Sequence, residues 1–112
     1  MGDPAGIGPE IALKAAADPR VCEVCEPVLY GPRTAAERAR FTPGVLAAEA
    51  GLAAYEAVEQ AVADALAGRL DAISTAPLNK EALSLAGFTW RGHTELLGHL
   101  TGAGDVAMMF YS

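Results

Sequence analysis

Apolar positions recur with two periods along this chain. From Ala48 to Ala67, Tyr55, Val58, Val62 and Leu66 return at three- and four-residue steps, the spacing of one face of a helix. Gly68 follows as the stop. Shorter apolar runs, at Pro27–Tyr30, Leu70–Ser74 and Val106–Tyr111, are bounded by turn residues and read as strands. Between them lie segments with helix punctuation. Pro9 suits the start of a helix running to Ala17, before Asp18-Pro19. Thr34 suits the cap of a short helix through Arg40, ahead of a Phe41–Gly44 linker. Two more helices are predicted, Asn79–Leu85 with a stop at Ala86-Gly87, and Thr94–Leu100 with a stop at Gly102. Helices alternating with short apolar strands predict an α/β fold with a largely parallel sheet. The glycine-rich turn at 2–8 calls for a preceding strand, and the last strand runs into Ser112. Both ends therefore read as points where a larger domain continues.

The chain has 112 residues, 52% of them hydrophobic, which suits a single domain. Much of that content is alanine, so burial energy per residue is modest. The net charge of −6, without a basic stripe, argues against nucleic acid as a partner. No apolar run reaches the roughly 18 residues of a membrane span, and Met1-Gly2-Asp3-Pro4 does not open like a signal peptide. A cytoplasmic chain is the expectation. Cys22 and Cys25 form a C-x-x-C. Redox chemistry or half a zinc site would use such a pair. There is no second pair, and the flanks do not resemble a redox helix start, so two structural cysteines are the plainer reading.

Candidate chemistry concentrates in three places. The turn Gly2-Asp3-Pro4-Ala5-Gly6-Ile7-Gly8-Pro9-Glu10 is neither a P-loop nor the dinucleotide fingerprint, because no Gly-Lys-Ser/Thr follows and Ile11 stands where a third glycine belongs. Its glycines allow close backbone approach, and the helix start offers free N–H groups to an anion; a tight packing turn explains the same residues. In Thr75-Ala-Pro-Leu-Asn-Lys80, Lys80 offers a point charge to a phosphate or carboxylate, and Thr75 and Asn79 offer hydrogen bonds. The plainer reading makes Asn79 a helix cap and Lys80 a solvated cation. In Gly92-His93-Thr94-Glu95, Thr94 suits a cap, Glu95 a first turn, and His93 a substrate contact or proton carrier, or else an ordinary loop histidine. Two histidines without a carboxylate cluster do not make a metal site. The crevice beyond the carboxyl ends of the strands would bring the last two segments to one anion-accepting site.

Together these segments closely resemble the 4-hydroxythreonine-4-phosphate dehydrogenase family of pyridoxal phosphate (pyridoxine) biosynthesis. The matching stretches are residues 2–10, 75–80, 86–87, 92–97 and Asp105-Val-Ala-Met-Met-Phe110, with Pro43-Gly44 and the helix Glu49–Gly68 in support. The resemblance implies the layered fold of isocitrate and isopropylmalate dehydrogenases, present in part. It also implies NAD-dependent oxidation, with decarboxylation, of a phosphorylated hydroxy amino acid by a homodimer. His93 and Thr94 carry the family's substrate contacts by direct match; Asn79 and Lys80 lie in the matching loop. NAD and a divalent metal (Zn, Mg or Co) are the family's cofactors. Its metal-binding histidines lie beyond the strand at Val106–Phe110, so turnover is not expected from these 112 residues alone, and relatives carry an additional stretch between Arg40 and Thr42. Two rival expectations are a non-catalytic fragment that binds a phosphometabolite or partner, and a thiol or zinc module at Cys22 and Cys25.

Overall fold

The longest helix organises the molecule. In the computed structural model, which describes Met1–Ser112, six helices follow one another: α1 (Gly8–Ala17), α2 (Pro19–Cys22), α3 (Ala35–Arg38), α4 (Ala48–Leu66), α5 (Lys80–Leu85) and α6 (His93–Thr101). Helices α5 and α6 both pack on α4. The buried face of α4 is Ala50, Gly51, Ala54, Ala57, Val58, Ala61 and Val62. This differs from the predicted stripe at its ends: Tyr55 is half-buried and Leu66 is 65% exposed. Small residues define the face because α5 crosses so close that a Cβ on Gly51 would strike the carbonyl of Ala82. The alanines that looked energetically weak are thus what permits close packing. One core cluster joins Val58, Val62 and Leu96, ringed by Tyr55, Ile73, Leu78, Trp90, Leu97 and Leu100. Burying a Leu such as Leu83 or Leu96 in full is worth about 1.5–3 kcal/mol.

Three helices end in the same way. After α4, Gly68 donates to Ala65 and Arg69 to Asp64; after α5, Gly87 donates to Ser84 and Phe88 to Leu83; at the end of α6, Gly102 donates to His99 and Ala103 to Gly98. Each glycine has φ between 70° and 90°. These paired bonds are Schellman motifs, which use the last helical carbonyls and need a left-handed residue. The predicted stops at Gly68, Gly87 and Gly102 therefore hold. Phe88, just past the second stop, stacks on Tyr55 of α4 with ring centroids 4.1 Å apart.

The starts differ more from expectation. Thr34 caps α3 in a capping box with Glu37, but the helix closes at Arg38 rather than Arg40. The break at Asp18-Pro19 opens a further helix, because Asp18 accepts from the Arg20 N–H and Pro19 fits the first helical position. Helix α6 is capped by Gly92, with no side-chain acceptor, so Thr94 lies inside the first turn and is not the cap.

No strand forms at Pro27–Tyr30, Leu70–Ser74 or Val106–Tyr111. A strand exists only with a hydrogen-bonded neighbour, and these segments do not pair with each other. The N-terminus instead lies between the end of the first and the loop that follows the second. The Met1 ammonium donates to the Tyr30 carbonyl at 2.7 Å, and the Asp3 N–H donates to the Pro77 carbonyl at 2.9 Å. Residues 1–3 thus lie between Tyr30 and the 75–80 loop, touching each through one backbone bond. The third segment packs only at its start, with Val106 against Gly98; Met109, Phe110 and Tyr111 are almost wholly exposed.

Candidate functional site

The opening turn and the 75–80 loop are built as one unit. Asp3 is buried, and its Oδ1 accepts from the Ala5 N–H at 2.8 Å while its carbonyl accepts from Gly6. An Asp that bonds the backbone two residues on is the local signature of a turn. The Asp3 N–H then latches the turn to Pro77. Gly2, at φ 65°, lies so close to the carbonyls of Ala76 and Pro77 that no Cβ fits. Gly8 is similarly pressed on Met1 and Ala76. The glycines of the turn serve close approach to the neighbouring loop.

His93 is the first residue of α6 and is half-buried beside this unit. Burial holds its ring below the ordinary 6.5; the Ala76 backbone opposes that shift, and the charge of the Met1 ammonium adds to it. The shift favours the neutral ring. Its Nε2 is enclosed and has no hydrogen-bond partner. An enclosed, unpaired polar atom costs about 1–3 kcal/mol, which a hydroxyl or N–H from a ligand would offset. Thr94 follows, half-buried. With no side chain capping α6, its first-turn N–H groups remain available to an anion, although Glu95 in the same turn adds a competing negative charge.

The other two predicted residues stand differently. Asn79 caps α5: its Oδ1 accepts from the Glu81 and Ala82 N–H groups at 3.0 and 3.1 Å, leaving only the amide NH₂ for a ligand. Lys80 opens α5, is exposed and has no ion-pair partner. His93 thus meets the predicted loop at Ala76, while Lys80 stands a few residues further on at the helix start. His99, given no role from the sequence, packs against Trp90 with ring centroids 4.5 Å apart and the planes tilted by 37°.

The sequence reading missed two features here. One is Asp3 as the buried organiser of the turn, signalled by Asp-Pro followed by glycine. The other is the clamp beneath Tyr30, whose hydroxyl donates to Asp64 at 2.5 Å, with Arg69 on the other carboxylate oxygen. The spacing of 34 residues between Tyr30 and Asp64 carries no sequence signal. A separate surface cleft of about 270 Å³ between α3 and α4, edged by Arg33, Glu37, Arg40 and Gln60, includes none of the predicted site residues. No group of three His, Cys, Asp or Glu side chains is placed to hold a metal ion, and the opening turn lacks the dinucleotide fingerprint. The residues present do not fit a divalent metal. No helix is long and apolar enough to cross a membrane.

Comparison with known proteins follows the same lines. Residues 10–112 match the family model of the pyridoxal phosphate biosynthetic protein PdxA. A D-threonate 4-phosphate dehydrogenase from Salmonella typhimurium is 41% identical over 149 aligned positions, covering 100% of this chain and 46% of the relative. A second, from Pectobacterium atrosepticum, is 35% identical with the same coverage. The relatives thus carry residues inside the matched span that this chain lacks. The crystal structure of a 4-hydroxythreonine-4-phosphate dehydrogenase from Burkholderia phymatum superposes with a TM-score of 0.89 at 35% identity, over all of this chain and 45% of that one. One from Klebsiella pneumoniae gives 0.80 at 36% identity. The chain spans somewhat under half the length of these relatives, and it belongs to the family of the pyridoxal phosphate biosynthetic protein PdxA.

Proposed function

We propose that residues 1–112 form one α/β domain carrying part of the substrate site of a dehydrogenase acting on a phosphorylated hydroxy acid. The observation that carries this reading is the enclosed, unpartnered Nε2 of His93, held against Ala76 in the Thr75–Lys80 loop at the uncapped start of α6. The extended segments around Met1 support the layered α/β reading. Tyr30, Met1–Asp3 and Ala76–Pro77 lie side by side, each just before a turn, as the carboxyl ends of neighbouring parallel strands do.

The names of the relatives give two substrates, D-threonate 4-phosphate and 4-hydroxythreonine 4-phosphate. Both carry a carboxylate, a C3 hydroxyl and a terminal phosphate, and they differ at C2. Lys80, the amide NH₂ of Asn79 and the first-turn N–H groups of α6 suit the two anionic ends. Neutral His93 suits the hydroxyl, and Thr94 adds a second hydrogen-bonding group. In the full enzyme the reaction is NAD-dependent oxidation of that hydroxyl, followed by loss of carbon dioxide from the β-oxo acid. Because no metal fits these residues, this chain's part is to bind and orient the substrate, as a homodimer in which further residues complete the site.

Trp90, the one tryptophan, packs against His99 of α6 and reports on this region. Its fluorescence should change saturably with either phosphorylated acid and not with the dephosphorylated acids. Equal responses to both forms would refute phosphate recognition. With NAD and a divalent metal added, the isolated chain should bind without turnover; turnover would show that the chemistry resides in these residues.

A further inference from the structure

Cys22 and Cys25 lie outside the site above, and both thiols are exposed. They flank the hydrogen-bonded turn that follows α2. Cys22 ends α2, and the N–H groups of Val24 and Cys25 both return to the Val21 carbonyl at 3.1 and 3.0 Å. Residues three apart on such a turn have Cα atoms about 5 Å apart. A disulfide accepts Cα separations of roughly 4.4–6.8 Å, but its Cβ atoms must come within about 3.5–4.5 Å, somewhat closer than helical neighbours sit. The chain can make that adjustment, because 23–29 lie outside any helix or strand. Only two weak S–H bonds are lost, to Ala16 and Val21, each at 3.4 Å.

The charges around the pair are unbalanced. Glu23 and Glu26 are exposed and have no ion-pair partner, while the nearby Arg20 is held by Asp18. We propose that Cys22 and Cys25 are a dithiol site that closes to an intramolecular disulfide by exchange with neutral or cationic small disulfides, Glu23 and Glu26 disfavouring anionic ones. One thiolate attacks the external disulfide, forming a mixed disulfide and releasing one small thiol. The second thiolate attacks the protein sulfur of that bond and releases the other. Two protons pass to the released thiols; the protein is oxidised and the external disulfide is reduced.

The test treats the 112-residue chain with cystamine, hydroxyethyl disulfide or oxidised glutathione at low salt, then alkylates and weighs it. Both alkylation sites should vanish together with no adduct retained. Rates should fall in the order cationic, neutral, anionic, and converge as salt is added. Cys22→Ser and Cys25→Ser should each retain a mixed disulfide instead. The closure constant should also be several-fold larger in the folded chain than in guanidinium chloride. A stable adduct on the wild type, linked dimers, an unordered rate series, or equal closure in denaturant would each overturn the proposal.

Discussion

Gly51 and Ala82 meet without room for a side chain: a Cβ on Gly51 would strike the Ala82 carbonyl. Helices α4 and α5 are therefore set at a distance that glycine alone allows. Gly51→Ala should destabilise the chain by about 1–3 kcal/mol despite its better helix propensity, because the backbone of α5 must shift. Leu66→Ala, on the exposed end of α4, should cost far less, whereas Leu96→Ala should cost about 2–5 kcal/mol. Urea unfolding of the three variants measures the order. A costly Leu66→Ala would restore the stripe predicted from periodicity.

Asp3 joins two loops that the sequence separates by more than seventy residues. Asp3→Ala removes the acceptor for the Ala5 N–H and should cost about 1 kcal/mol; Asp3→Asn keeps an acceptor and should cost less. Slower exchange of the Ala5 amide in Asp3→Asn than in Asp3→Ala is the expected hydrogen-exchange result.

His93 makes stability depend on pH. Its folded pKa lies below 6.5, mainly through burial, so the unfolded chain binds the proton more readily. The neutral ring's contribution is complete above 6.5 and is lost as pH falls from 6.5 through the folded value. His93→Gln should flatten the stability profile in that window. An unchanged slope would mean that the ring is not enclosed.

Asp64 acts at lower pH. The Tyr30 hydroxyl, then Arg69, hold its carboxyl below the ordinary 3.8. Its contribution is present above 3.8 and is lost as pH falls through the lowered folded value. Asp64→Asn should be less stable than wild type at neutral pH, with the difference closing in acid. A difference that persists in acid would place its origin outside the ionised clamp.

What could be read in advance followed how local each cause was. The stops at Gly68, Gly87 and Gly102 and the caps at Thr34 and Asn79 lie within a few residues of what they terminate, and they were legible. The buried face of α4 was legible only at Val58 and Val62, since its alanines and Gly51 acquire meaning from α5. The strands misled because an apolar run states a preference while pairing needs a partner; of the three runs only Tyr30 bonds the N-terminus, at Met1. His93 stood out as chemistry, but the backbone it meets, at Ala76, lies seventeen residues earlier in the chain. The Tyr30–Asp64 clamp had no local cause and left no trace.

Titration calorimetry of 4-hydroxythreonine 4-phosphate and D-threonate 4-phosphate into wild type, His93→Ala, Thr94→Ala and His99→Ala tests the site most directly. The account predicts roughly tenfold or greater weakening for His93→Ala, a smaller loss for Thr94→Ala, and wild-type affinity for His99→Ala. Equal affinity of wild type and His93→Ala for both compounds would contradict it.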